Sequence, residues 1–179
     1  VDAWLLEAEL LAADPQAAAA VYGEALARYP RDGRLLYARA LHLVGVDDIA
    51  GAERDLRAIL ALDPENPQVL NALGYTLADR TERFEEALAM IEKALAAEPD
   101  DAAFVDSMGW VQYRLGNLEA AAEHLKRAYA LSNGDAEVAA HYGEVLWEQG
   151  KRKQARALWD RARRADPEDR VLQKTLQKY

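Results

Sequence analysis

The chain has 179 residues, 51% of them apolar, a formal charge of −9 and no cysteine, so it can bury a core but offers no disulfide, thiolate metal site or cysteine nucleophile. No apolar run reaches the ~18 residues that a bilayer span requires. The acidic balance argues against the clustered positive charge of non-specific nucleic-acid binding.

Ala and Leu outweigh Val, Ile and Phe, which predicts helices and almost no sheet. Taken in chain order, Trp4 to Leu11 read as a short first helix, and Ala18, Tyr22 and Ala25 as a second, ended by Pro30. Leu36, Ala40 and Leu43, then Ala52, Leu56 and Ile59, predict the next pair, closed by Asp63-Pro64. Leu70, Leu73 and Leu77, then Leu88, Ile91 and Leu95, repeat the pattern up to Glu98-Pro99, with a turn from Ala78 to Phe84 that lacks glycine and carries one extra residue. Val105 and Met108 precede a turn at Gly116, where glycine accepts a left-handed conformation, and Ala121, Leu125 and Ala128 follow. Ala139, Tyr142 and Leu146 lead to Gly150, and Ala155, Trp159 and Ala162 run on to Asp166-Pro167. Each proline ends its helix because it disfavours helical geometry in the residue before it.

These pairs recur at a fixed step. Gly109 and Gly143 are 34 residues apart, as are Gly116 and Gly150, and Ala87, Ala121 and Ala155 keep the same interval. In these residues the chain resembles the tetratricopeptide repeat family. Leu70, Leu73, Gly74, Leu77, Ala87, Ile91, Ala94 and Pro99 fill one complete repeat of that pattern, with Gln112 and Asn133 as departures in the following one. The resemblance implies an all-α, right-handed superhelix of about five repeats (1–32, 33–66, 67–101, 102–135 and 136–169). A capping helix at 170–179 presents Val171, Leu172, Leu176 and Tyr179 inward and Arg170, Lys174, Gln177 and Lys178 outward. The whole is expected to be one solenoid domain, the C-terminal part of a longer protein. Gly74, Gly109 and Gly143 fall inside helices, each at a cost of ~1 kcal/mol against Ala, and are expected where the two helices of a repeat approach closely.

The family's first helices line a concave groove, and residues one repeat apart form ladders along it. Asn71, Tyr75, Asp106, Ser107, Trp110, Tyr113, Arg114, His141, Glu144, Trp147 and Glu148 are the expected partner-binding residues. Trp110, Tyr113 and Trp147 would serve as exposed aromatic anchors. Asp106, Arg114, Glu137, Glu144 and Glu148 would form a mainly acidic rim suited to a basic or polar partner. The competing reading packs Trp110 and Trp147 between adjacent repeats. Met108, Leu115, Leu125, Tyr142, Leu146 and Trp159 are assigned to the core.

No zinc spacing, nucleotide loop or serine nucleophile motif occurs, and neither metal nor cofactor is implied. His141 beside Glu144 is the one conceivable acid/base pair, set aside because a solenoid surface offers no dry pocket; no enzyme is read here. The charge is also uneven. From Lys151 to Tyr179 there are ten Lys/Arg against four Asp/Glu, which leaves twelve against twenty-seven in residues 1–150. A basic end docking on the acidic groove of a second copy is therefore an alternative function.

The run from NALGYTLADR through DSMGWVQYRLG to HYGEVLWEQGKRKQA is similar to one branch of the family, tetratricopeptide lipoproteins of the proteobacterial outer membrane that face the periplasm. That resemblance implies an adaptor whose partners are a carboxyl-terminal processing protease and its basic peptidoglycan hydrolase substrates.

Overall fold

Asx side chains start most of the helices in the computed structural model, which describes residues 1–179. The elements are α1 (Asp2–Leu10), α2 (Pro15–Arg28), α3 (Gly33–Gly45), α4 (Ile49–Leu60), α5 (Pro67–Arg80), α6 (Phe84–Ala97), α7 (Ala102–Arg114), α8 (Leu118–Leu131), α9 (Ala136–Glu148), α10 (Arg152–Ala165) and α11 (Arg170–Lys178). Asp14, Asp32, Asp48, Asn66, Asp101, Asp135 and Asp169 each accept a hydrogen bond from a first-turn amide, which satisfies donors that a helix leaves unpaired. Pro15 and Pro67 add the preset backbone angle at the first helical position. There is no strand, as the composition predicts.

Short connections fold α1 to α10 into five hairpins, and α11 follows alone. Gly116 and Gly150 take φ of +83° and +77° at the ends of α7 and α9, as their positions require. Asp47 occupies the same slot after α3 and adopts φ +67°, which the short polar side chain of an aspartate tolerates. Between α8 and α9, Asn133 and Gly134 both turn left-handed, replacing the proline that closes other repeats.

The helical glycines lie where the hairpins pinch. A Cβ on Gly74 would stand 2.7 Å from Ile91 Cγ1, one on Gly109 would stand 2.5 Å from Leu125 Cγ, and one on Gly143 would overlap the Trp159 indole. Ala40, fully buried, fills the same place in the second hairpin. The core runs through the stack as Leu35, Leu56, Leu73, Leu77, Ile91, Val105, Leu125 and Leu172, all nearly or wholly shielded. Each such side chain contributes about 1.5–3 kcal/mol of burial. Met108, Leu146 and Trp159 join it as expected, whereas Leu115 and Tyr142 are only half-buried.

Candidate partner-binding site

Because α5 touches α7 and α7 touches α9, the first helices of the last three hairpins form a continuous inner face. A cavity of about 860 Å³ opens on it. Tyr75, Trp110, Tyr113, Arg114, His141 and Glu144 line this cavity together, so six of the expected site residues converge. Asn71, Asp106, Ser107, Trp147 and Glu148 do not line it.

The exposure expected of these residues needs correction. Trp110 is only 7% exposed: it packs into the main core, stacks on His141 with ring centroids 4.2 Å apart, and leans on Tyr113 at 5.2 Å. It therefore forms a wall of the cavity and is no free anchor. Asp106, Ser107, His141 and Glu144 are likewise buried. Trp147 is half-buried between Trp159 and Tyr179, with Arg152 and Arg156 over its ring.

A polar network explains how these charges tolerate burial. His141 Nδ1 lies 2.9 Å from Asp106 Oδ2, and its Nε2 lies 3.3 Å from the Tyr75 hydroxyl, which donates in turn to Glu137 at 3.2 Å. Burial pushes the His141 imidazolium toward deprotonation. The Asp106 carboxylate outweighs this, with Glu137 and Glu144 adding to it, and raises its pKa to about 9. At neutral pH both ring nitrogens donate. Burial also pushes the Glu137 carboxyl up, and it drives the Tyr75 phenol far above its ordinary range, so that Tyr75 stays a donor. The inner face thus holds the dry, field-shaped environment that a solenoid surface was not expected to offer, although His141 is committed to Asp106 and Tyr75.

Pairs of this kind recur at the repeat interval. Arg34 meets Asp2, Arg80 meets Asp47, Arg114 donates to the Asp79 carbonyl at 2.9 Å, His141 meets Asp106 and Lys178 meets Glu144 at 2.8 Å. Each joins one hairpin to the next across 32 to 35 residues, with the acidic residue upstream. The sequence signal is present as opposite charges one repeat apart.

The last of these pairs corrects two further expectations. Lys178 does not face away from the stack. With Thr175 at 3.1 Å and the Tyr179 hydroxyl at 3.3 Å, it holds the buried Glu144, while Tyr179 also donates toward Glu148. One cation of the basic end, Lys178, therefore meets a carboxylate of the inner face within one chain. In consequence the rim is not mainly acidic: Asp106 is paired with His141, Glu137 accepts from Tyr75, and Glu144 is covered. Arg170, Lys174 and Lys178, four residues apart along one stripe of α11, form part of the cavity wall. Periodicity alone assigns them to an outward face and misses this role.

Comparison with known proteins gives the same architecture. The tetratricopeptide repeat family description matches residues 112–179 in one form and residues 37–82 and 76–136 in another. The TPR repeat-containing protein PA4667 of Pseudomonas aeruginosa is 46% identical over 146 residues, which is 80% of this chain and 25% of that protein; the chain thus spans a quarter of the length of this relative. Among solved structures, the thermophilic tetratricopeptide protein TTC0263 of Thermus thermophilus superposes with a TM-score of 0.81 at 24% identity, covering 96% of this chain and 94% of that one. Pseudomonas aeruginosa pilF superposes with a TM-score of 0.71 at 19% identity, covering 99% and 97%. These structural likenesses show the fold. Matched by the family description over more than half its length, the chain belongs to the tetratricopeptide repeat family.

Proposed function

We propose that this chain is a non-catalytic adaptor module that holds a segment of a protein partner in the cavity between α5, α7, α9 and α11. One observation carries the reading: Tyr75, Trp110 and Tyr113 converge on a single concavity whose volume falls in the range of ligand sites. Trp110 Nε1, on the same wall, makes no hydrogen bond within the chain.

The resemblance to outer-membrane lipoproteins such as LbcA, the adaptor of the CtpA protease, supports a finer version: a periplasm-facing lipoprotein whose repeats present a carboxyl-terminal processing protease to peptidoglycan hydrolases. Basic hydrolases would then meet exposed Glu85, Glu92, Glu119 and Glu123 of α6 and α8, because the cavity is no longer the acidic surface.

Biolayer interferometry between this chain and the purified processing protease of its own organism tests the reading. Saturable binding is expected, weakened about tenfold by Tyr113→Ala with helicity unchanged. Absence of binding, or equal affinity of the variant, would overturn it.

A further inference from the structure

The charge lining the cavity has the opposite sign to the molecule. Apart from His141, which Asp106 already pairs, Arg80, Arg114, Arg170, Lys174 and Lys178 stand against Asp79 and Glu144, five Lys/Arg to two carboxylates, in a chain of net charge −9. Two of the five are neutralised in place, Lys178 by Glu144 and Arg80 by Asp47. Arg114 lies over the Phe84 ring at 4.9 Å and donates to a backbone carbonyl, without a carboxylate partner. Arg170 and Lys174 are exposed and make neither an ion pair nor a hydrogen bond within the chain.

Helix electrostatics do not account for this placement. Arg170 is the first residue of α11, at the positive end of the helix dipole, where a cation is disfavoured. Solubility does not require it either, since the surface is already rich in carboxylates. What the three unpaired cations share is the cavity: Arg114 approaches from α7 and the other two from α11, with Tyr75, Trp110 and Tyr113 as the apolar wall between. A cavity of about 860 Å³ admits a few side chains of an extended segment and excludes a folded domain.

We propose that the cavity takes an acidic, extended segment of a partner protein, with its carboxylates on Arg114, Arg170 and Lys174 and an apolar side chain against the aromatic wall. This rests on the reading of the cavity as the partner site and adds the sign of the partner's charge. Arginine suits the role because its planar fork matches a carboxylate in two-point contact. Recognition of this kind is steered by the local field and weakens as salt rises.

The test uses this chain and fluorescein-labelled decapeptides in which Leu alternates with Glu or with Lys. The acidic peptide is expected to bind and the basic one not to, with affinity falling as salt is raised. The double variant Arg170→Glu, Lys174→Glu is expected to lose about tenfold or more in affinity for the acidic peptide. Both residues are exposed and unpaired, so the fold should be retained, as circular dichroism would verify. Equal binding of both peptides, an unchanged affinity of the variant, or full competition by millimolar inorganic phosphate, which would mark a simple anion site, would each overturn the proposal. A salt-sensitive dimer abolished by the same variant would also overturn it by making a second copy the occupant. Binding of the processing protease that survives the charge reversal but not Tyr113→Ala would remove the acidic-segment proposal and leave the adaptor reading intact.

Discussion

At the scale of single residues, space and charge make separate predictions. Gly109 lies against Leu125, so Gly109→Ala should destabilise the fold by about 1–3 kcal/mol through overpacking, despite alanine's better helix propensity. Gly23, inside α2 with nothing within 4 Å of the place an added methyl would take, gives the contrast: Gly23→Ala should stabilise by about 0.5–1 kcal/mol. Urea denaturation of the two variants checks the opposite signs. His141 makes a prediction in pH. Its folded pKa, about 9, exceeds the ordinary 6.5, so the native state binds this proton more tightly and the stabilisation is complete below about pH 6.5. It is lost as pH rises through 9, a change on the order of 3 kcal/mol, which urea midpoints across that window would reveal and which His141→Gln should flatten. The helical glycines were legible in the sequence because a costly residue repeated at a fixed step needs a steric reason. The burial of Asp106 and His141 was not, because periodicity marks a residue as inward on the superhelix without saying whether a neighbour closes over it.

At the scale of elements, α11 changes most between sequence and structure. Its apolar side was legible, and Leu172 does pack into the terminal core with Trp159. Its basic stripe read as solvated because a last helix, taken alone, has nothing beyond it to touch. Placed one repeat after α9, however, α11 acts as a further first helix: Lys178 and Tyr179 fall 34 and 35 residues after Glu144 and bind it. Removal of residues 170–179 should therefore do more than trim an end. It should expose Glu144, Trp147 and Trp159 to water and forfeit the burial of Leu172, which alone is worth about 1.5–3 kcal/mol, with red-shifted tryptophan emission in the native baseline. A loss below about 1 kcal/mol, the scale of an exposed ion pair, would show that α11 is only loosely attached. The paired charges of Arg39 and Asp55, 2.6 and 2.8 Å apart across the α3–α4 hairpin, were equally invisible to a search for apolar periods.

For the whole molecule, the number of hairpins and their order followed from the 34-residue step, since each unit buries its apolar side only against its neighbours. The sign of the groove did not follow. Summed charge gave an acidic molecule, whereas the inner face cancels its own carboxylates one repeat at a time and α11 adds cations where the last three hairpins converge. In the proposed function this convergence, and not the outer helices, receives the partner. Hydrogen–deuterium exchange of the chain with and without saturating processing protease tests it most directly. Exchange should slow in α7, α9 and α11 and stay unchanged in α6, α8 and α10; protection confined to those outer helices would place the partner on the convex side instead.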